Sequence, residues 1–428
     1  MGHRLALVCQ RNNNVPFLFE SAAAAGHDLV LIHAPGETAP THLPAAGATL
    51  ELDVFGAPDD ALARLEAAAP TLALEGIVTS REEAVPWTAL AARRLGLPGL
   101  DPAAALAARD KATMRTRFDA AGLNVPRHAR LALDDPPALP PGLAFPVVVK
   151  PTGGYSSQGV IRADDAAGLA DAVARVRAIN AETLDAFTRD PAAAVAGAET
   201  AGWGAVIVEE YVAGPEYVAE AFAVAGRVHV LSVGYKGNPT GPFFEETVYL
   251  APPPLAPDVL AAVVEQVAGG MAALGITDGP GHCELRLRDG VTPYLLEIGA
   301  RIGGSGVSQF VVLESTGIDY AGLQFRQAAG APLPDLPAAP EPIAAAGNWI
   351  IPLGGHGRLV EVIGLKAVAA HPDTRRILTF LDPGAVVRPY PAFSGYPGFV
   401  LSRHADWAAG VAFHRWLAKT VSVRWASR

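Results

Sequence analysis

Two glutamates and an arginine lie in one segment whose spacing fits phosphate chemistry. The segment reads GHCELRLRDGVTPYLLEIGARIGG, and its two alternating runs flank a turn-forming RDG like the strands of a β-hairpin. If Leu287 pairs with Tyr294 across that turn, Glu284 stands opposite Glu297. Opposed carboxylates repel each other unless a cation lies between them, and such oxygen ligands suit Mg²⁺. An ordinary charged hairpin face in water has the same spacing, so both interpretations stay open.

A strand-like run, VVVKP, ends in Lys150 and leads into a glycine-rich loop. Glycines and small hydroxyl residues let backbone N–H groups approach phosphate oxygens, and the lysine adds a positive charge. The lysine precedes the glycines, so this is not the GxxxxGK[ST] loop. A flap over phosphates and a plain surface hairpin both fit this pattern. Lys111, which opens a helix after Asp110, has no special meaning on its own because a lysine in a first helical turn is usually solvated.

The run VIVEEYVAGPE predicts a strand that breaks at Gly214-Pro215. Unpaired backbone groups at such a break could pair with an adenine edge, much as a sheet edge accepts another strand. Glu216 would then be free to accept the hydroxyl groups of a ribose. An ordinary strand, turn and strand is the alternative, since Glu216 also begins the next predicted strand.

Composition limits the classes of protein that fit. The chain has 428 residues, which suggests two to four domains, and we find no uninterrupted run of about 18 apolar residues that would span a bilayer. Its net charge of −10 argues against a general nucleic-acid surface. Cys9 and Cys283 form no disulfide framework or zinc spacing, so we expect a cytoplasmic protein that binds small molecules, with no nucleic-acid or membrane partner.

Strands alternate with alanine-rich helical segments at the start of the chain, which predicts a doubly wound, parallel α/β unit. The strands are expected at residues 4–9, 28–33, 48–53 and 76–80. A helix is expected over residues 258–274. A β-rich tail is expected to follow, with strands near 343–351, 358–363 and 376–381 and a helix over 404–418.

The order of these motifs resembles the ATP-grasp superfamily of carboxylate–amine ligases. The ending EIGARIGG, followed by ESTGID, is similar to the L-amino acid ligases and carnosine-synthase-like enzymes, which join two amino acids. The resemblance implies an α/β fold, with some α+β character, in three parts. They are an N-terminal domain (1–110), an ATP-grasp domain (111–335) with a mobile lid at about 145–212, and a small β-rich lobe (336–428).

The resemblance also assigns roles to single residues. Nucleotide contacts are implied for Lys111, Lys150, Gly153, Gly154, Ser156, Ser157, Gln158, Gly159, Glu209, Glu210, Tyr211, Val212 and Glu216. Substrate contacts are implied for Glu245, Glu246, His282, Arg301, Gly303, Gly304 and Ser305. Glu284 and Glu297 would hold Mg²⁺, and Lys150 and Arg301 would be catalytic. Many superfamily members carry asparagine where this chain has Gly299, which leaves open whether one or two ions bind.

The implied activity is ATP-dependent formation of an amide bond between two amino acids, or an amino acid and a related amine, through an acyl phosphate. ATP and Mg²⁺, with Mn²⁺ as a possible substitute, would be the cofactors, and a homodimer is the implied assembly. Two alternatives remain: a bicarbonate-activating carboxylase like biotin carboxylase, and a nucleotide-binding module without catalysis. The sequence does not name the two substrates, because specificity depends on a few pocket residues.

Overall fold

A computed structural model describes residues 2–9, 16–37, 48–132, 134–154, 157–187, 205–389 and 396–426, with only the backbone described at 183–187 and 305. Of the predicted site residues, Ser156 therefore lies outside the described residues, and so does the side chain of Ser305.

The N-terminal part is a parallel sheet with helices on both faces. Its elements are β1 (Arg4–Val8), α1 (Phe17–Ala24), β2 (Asp28–His33), β3 (Ala48–Glu51), α2 (Pro58–Leu72), β4 (Gly76–Thr79), α3 (Val85–Leu95) and α4 (Pro102–Arg109). The strand order is β3-β2-β1-β4, with all pairs parallel. Alternate residues of β1 enter two different hydrophobic clusters, Leu5 and Leu7 on one face and Ala6 and Val8 on the other. The doubly wound unit and its four strands are confirmed.

A smaller antiparallel sheet follows. Its elements are α5 (Lys111–Ala120), β5 (His128–Leu131), β6 (Val147–Pro151), β7 (Ile161–Ala163), α6 (Ala166–Phe187) and β8 (Val206–Glu210). The strand order is β5-β8-β6-β7, and apolar residues of α6 such as Val173 and Val176 pack on Val149 of the sheet. The helix α5 begins as predicted, because the Asp110 side chain accepts a hydrogen bond from Thr113 N–H and caps it.

The remaining elements complete a large central sheet. They are β9 (Glu216–Val224), β10 (Arg227–Gly237), β11 (Val248–Ala251), α7 (Pro257–Leu274), β12 (Gly279–Arg288), β13 (Thr292–Gly299), α8 (Val307–Thr316), α9 (Tyr320–Ala328), β14 (Ala345–Ile350), β15 (Gly357–Ile363), α10 (Leu365–Ala369), β16 (Thr374–Thr379), β17 (Val386–Val387), β18 (Gly398–His404), α11 (Trp407–Thr420) and β19 (Ser422–Trp425). The central sheet has the order β13-β12-β9-β10-β11-β14-β18-β16.

The C-terminal lobe shares the central sheet. Strand β11 pairs with β14 across the predicted boundary at 336, so β14, β16 and β18 extend the sheet that carries the site. A separate three-stranded sheet, β17-β15-β19, forms the rest of the lobe. The β-rich character of the tail is confirmed, while the exact domain boundaries stay a prediction.

The helix α7 has the length and the mean hydropathy of a membrane span, 18 residues and 1.2, although the sequence indicated no such segment. The helix α7 resembles a membrane span in length and composition only. Apolar residues along one face of α7, including Val263, Val267 and Met271, are buried in the cluster that also holds Leu285 and Leu295 of the central sheet. Core helices of water-soluble domains have the same features, so the absence of a membrane partner stays a prediction.

The predicted hairpin register was wrong by one residue near the turn. Leu287 pairs with Pro293 and Arg286 with Tyr294, instead of Leu287 with Tyr294. A β-bulge between Leu285 and Glu284 then shifts the pairing, so Glu284 does stand opposite Glu297. The bulge inserts Leu296 as an extra residue in β13, and extra residues of this kind re-aim the side chains that follow. The predicted glutamate pair therefore forms, but the strand register that produces it differs from the predicted one.

His414 is buried between α11 and the central sheet, 8% exposed and against Gly347 of β14. A Cβ added at position 347 would lie 2.9 Å from the Nε2 of His414, so the glycine makes room for the ring. Burial, with a smaller contribution from the neighbouring His404, lowers the pKa of His414 to about 3.

We predict that His414 weakens the fold in acid. Because the pKa of His414 is lower in the folded than in the unfolded chain, the unfolded chain takes up the extra proton as pH falls below about 6.5, and stability is lost from there down to about pH 3. Between pH 6.5 and 5, the free energy of unfolding should fall by about 2 kcal/mol more in the unmodified protein than in His414→Leu. Urea denaturation at both pH values measures this.

The exposed His356 offers the control. His356→Leu should follow the unmodified protein over this pH range. Equal losses for His414→Leu and the unmodified protein would contradict the prediction.

Candidate functional site

A cavity with about 970 Å³ of empty space, part of it open to solvent, lies between the small antiparallel sheet and the central sheet. It brings together most of the residues predicted from the sequence: Lys111, Lys150, Gly154, Ser157, Gln158, Glu209, Glu210, Tyr211, Val212, Glu216, Glu246, His282, Glu284, Glu297 and Arg301. Gly153, Gly159, Glu245, Gly303 and Gly304 are predicted site residues that do not line it. Residues up to 190 positions apart thus meet in one place, which favours a site over separate surface features.

Lysine ammonium groups balance the paired carboxylates at the end of the hairpin. The Nζ of Lys111 lies 2.8 Å from Oε1 of Glu297 and also donates to the carbonyl of Gly154, at 2.8 Å. The Nζ of Lys236 lies 2.6 Å from Oε1 of Glu284. Two carboxylates on neighbouring strands, each facing a cation inside a cavity, are a donor set that fits Mg²⁺, which takes one or two carboxylates plus phosphate oxygens.

Lys236, near the end of β10, was missed by the sequence analysis. Its ammonium group is 2.8 Å from Glu246, 2.6 Å from Glu284 and 3.4 Å from Glu216. Burial alone would lower the pKa of Lys236, but the three carboxylates together raise it well above its usual value. The available signal was a lysine at the end of a largely apolar strand, the same signal that pointed to Lys150.

Lys150 and Glu209 form a buried ion pair under the cavity. The Nζ of Lys150 is 2.6 Å from Oε2 of Glu209, and Nε of Arg115 is 2.7 Å from Oε1. Burial lowers the pKa of Lys150, and Glu209 opposes that shift. The Glu209 side chain therefore orients Lys150, and any contact with adenine would come from its backbone. Arg115 also donates to the carbonyl of Leu296, so it stabilises the bulge that sets the glutamate pair.

Arg286 organises the region predicted for the nucleoside. Its guanidinium carbon is 5.4 Å from the ring centroid of Tyr211, its Nη1 donates to the Val212 carbonyl at 3.1 Å, and its Nε donates to Glu216 at 3.2 Å. Glu210 instead pairs with Arg127 and Arg288, each at 2.8 Å. Tyr211, Val212 and Glu216 thus lie on one wall of the cavity, and their contacts with adenine and ribose stay predictions.

His282 is held by a buried carboxylate that the sequence did not reveal. Glu220 of β9 is fully buried, and its Oε1 is 2.7 Å from Nδ1 of His282. Ser308 and Tyr249 donate to the same oxygen. Burial alone would lower the pKa of His282, but Glu220 raises it to about 9, so the ring carries a positive charge at neutral pH. Its Nε2 is 3.6 Å from Glu284.

Arg301 lies beside the N-terminal domain. Its Nε donates to Oε2 of Glu82, and its Nη1 donates to the Ile302 carbonyl at 3.2 Å. Glu82 lines the cavity and was also missed, because a glutamate after β4 carries no local signal for a site.

The other predicted substrate residues separate into two groups. Glu246 faces the cavity, where Lys236 and the hydroxyl of Tyr396 donate to it. Glu245 accepts a hydrogen bond from Leu353 N–H at 3.2 Å, which ties it to the C-terminal lobe. Gly303 packs against His282, since a Cβ there would lie 2.1 Å from Nδ1 of that ring.

Comparisons with known proteins agree with this layout. Family models match the ATP-grasp N-terminal domain at residues 19–99, the ATP-grasp domain at 143–309 and the L-amino acid ligase C-terminal domain 2 at 349–426. The crystal structure of an L-amino acid ligase from Bacillus licheniformis is similar over the whole chain, with 36% identity, a TM-score of 0.88, and coverage of 100% of this chain and 99% of that one. The chain belongs to the L-amino acid ligase family. The ATP-grasp fold with its three parts is thereby confirmed.

Curated relatives of this L-amino acid ligase family member are more distant. The alanine–anticapsin ligase of Bacillus subtilis is 27% identical over 54% of this chain and 49% of its own length. Carnosine synthase 1 of Mus musculus is 28% identical over 64% of this chain and 32% of its own length. The chain spans half or less of the length of both relatives.

We predict that Lys236 stabilises the site chiefly as a counter-ion. Lys236→Met leaves three mostly buried carboxylates facing one another, and loss of one partner from a buried ion pair typically costs about 3–5 kcal/mol. The free energy of urea unfolding at pH 7 should fall by that order. Added MgCl₂ should restore more stability to the variant than to the unmodified protein, because a divalent cation can balance Glu284.

Lys366→Met is the matched control, since Lys366 is an exposed lysine on α10. It should change stability little and should respond to MgCl₂ like the unmodified protein. Unchanged stability in Lys236→Met would show that the three carboxylates do not depend on this ammonium group.

Proposed function

We propose that the protein is an ATP-dependent carboxylate–amine ligase that joins two amino acids, or an amino acid and a related amine, and releases ADP and phosphate. The observation that supports this most is the cavity itself. Its lining brings together two lysines, a pair of carboxylates, Tyr211, His282 and Arg301. Membership of the L-amino acid ligase family supports the same reaction.

The reaction would proceed in two steps. An oxygen of the substrate carboxylate attacks the γ-phosphorus of ATP, the bond to the β,γ-bridging oxygen breaks, and an acyl phosphate and ADP form. The amine of the second substrate then attacks the acyl carbon, phosphate leaves with the bonding electron pair, and the nitrogen loses a proton. Neither step requires a covalent bond to the protein, so the site acts by positioning and by neutralising charge.

Lys111 and Lys150 would bind phosphate oxygens, with the glycine loop after β6 folded over them. Arg301 would stabilise the negative charge that develops on the acyl phosphate and on the tetrahedral intermediate, for which its planar donors are suited. Glu284 and Glu297 would hold Mg²⁺, which when bound neutralises phosphate charge. One or two ions remain part of the proposal, with Mn²⁺ as a substitute.

Two charged side chains of the cavity lining suit an amino acid. Glu246 supplies a carboxylate for a substrate ammonium group, and the positively charged His282 suits a carboxylate. Glu245, Gly303 and Ser305 would contribute indirectly or through the backbone. A homodimer and a cytoplasmic location, with no nucleic-acid or membrane partner, complete the proposal.

The test is a screen of amino-acid pairs with ATP, read out as ADP and as product mass. ADP and phosphate should form only when two suitable substrates are present. Glu297→Gln should lower kcat by roughly 100-fold or more, because it removes a charge placed where the transferring phosphate is neutralised. Glu265→Gln, a change of an exposed glutamate on α7, is the matched control and should keep full activity.

Other products would point to other functions. AMP and pyrophosphate in place of ADP and phosphate would overturn the acyl-phosphate mechanism. ATP turnover that depends on bicarbonate and needs no amino acid would favour the carboxylase alternative. Equal inactivity of Glu297→Gln and the unmodified protein with every pair, beside intact ATP binding, would favour a nucleotide-binding module.

A further inference from the structure

Gly299 leaves a space in the site that a residue of the N-terminal domain fills. Gly299 ends β13, opposite His282, and its backbone angles lie outside the left-handed region that favours glycine. A Cβ added at this position would lie 2.8 Å from Oε2 of Glu82. Any side chain at 299 would therefore have to displace the Glu82 carboxylate, so glycine is favoured here by space and not by backbone freedom.

Glu82 reaches this space from a single 3-10 turn, Glu82–Ala84, that follows β4. It is 6% exposed, although it is a charged residue on a connection between a strand and a helix. Charged side chains are almost never buried to this extent unless they are paired. The burial of Glu82 therefore indicates a specific partner in the cavity.

Two arginines hold the Glu82 carboxylate. Nε of Arg301 donates to Oε2, and Nη1 of Arg109 lies 3.8 Å from Oε1. Arg109 also donates through Nη2 to the carbonyl of Gly153, at 3.0 Å. Glu82 thus lies between the arginine at the substrate end of the cavity and the arginine that contacts the glycine loop.

The contact fixes the orientation of the Arg301 side chain. An arginine side chain has several rotatable bonds, and holding one rotamer costs conformational entropy. The hydrogen bonds from Nε to Glu82 and from Nη1 to the Ile302 carbonyl hold the guanidinium plane at two of its nitrogens. A planar group held at two points presents its remaining edge in a single direction, which is what stabilisation of a developing charge requires.

We propose that Glu82 is a positioning residue that orients Arg301 for the reaction, and that glycine at position 299 leaves the space that the Glu82 carboxylate needs. This inference rests on the proposed ligase function. The space beside the strand that carries Glu297 is thereby taken by a carboxylate from another part of the chain. Glu82 would act through Arg301 without contacting the substrate.

The test is a double-mutant cycle with Glu82→Ala, Gly299→Ala and the double variant. Glu82→Ala should lower kcat by roughly 100-fold, the effect expected when a catalytic group is displaced by about 1 Å, and Gly299→Ala, which shifts Glu82 by less, should lower kcat by a smaller factor. Each single change should alter the affinity for ATP by less than about twofold. In the double variant the alanine methyl group occupies vacated space, so its kcat should be no lower than that of Glu82→Ala alone. Non-additivity of this kind identifies residues that act as a unit.

Glu83→Ala is the matched control. Glu83 is next in sequence, 5% exposed and paired with Arg81 at 3.0 Å, but it does not line the cavity. Its loss should lower the urea-unfolding midpoint while kcat stays within about twofold of the unmodified value. Glu82→Asp, which keeps the charge, should retain more activity than Glu82→Ala. A Gly299→Ala variant with normal kcat, or losses that multiply in the double variant, would overturn the proposal.

Failure of the ligase proposal would give different results from failure of the Glu82 proposal. If no amino-acid pair supports ADP release by the unmodified protein, the ligase proposal fails, and urea unfolding of the same variants still tests the contact. Gly299→Ala should then lower the unfolding midpoint in the unmodified background and leave it unchanged in the Glu82→Ala background. Equal shifts in both backgrounds would show that Glu82 does not fill this space.

Discussion

Charge balance among carboxylates in one cavity is the constraint on which the site depends. Carboxylates at the ends of β12 and β13 and at the start of β9 would repel one another across short distances, and burial would drive them to take up protons. Lys111 and Lys236 prevent this by direct contact with Glu297, Glu284 and Glu216. The Lys236 pairs lie within the central sheet, whereas Lys111 joins helix α5 to that sheet through Glu297. The site is therefore also part of what holds helix α5 against the central sheet.

The same pairing explains how such a cavity can accept a polyphosphate. A nucleotide brings several negative charges, which need cations, while a divalent ion brings charge for the carboxylates. If Mg²⁺ binds Glu284 and Glu297, the ammonium group of Lys111 loses its carboxylate partner and becomes available to phosphate oxygens, while Lys236 keeps Glu246 and Glu216. When metal and nucleotide bind together, the charged side chains exchange one partner for another. No buried charge is then left unpaired, which would be costly.

The sequence predicted the elements of the fold and much of the site, because those signals are local. Strand periodicity, helix caps and the strand-end Lys150 can all be read within a few residues. The pairing near the hairpin turn could not, since the bulge at Leu296 depends on Arg115, a distant side chain that satisfies its carbonyl. Glu220 could not be predicted for a related reason, because its role depends on partners such as His282, 62 residues away. Long-range ion pairs leave no periodic pattern in a sequence.

Gly299 shows how a departure from a family pattern can be misread when one strand is considered alone. Along β13 the glycine looks like a lost metal ligand, and that reading makes the site appear incomplete. In three dimensions the position is occupied, because Glu82 approaches it from the N-terminal domain and carries a negative charge to within bonding distance of Arg301. Gly299 and Glu82 therefore belong to one structural feature, although they lie in different parts of the chain. The N-terminal domain consequently takes part in the site, because the turn after β4 supplies the carboxylate that orients Arg301.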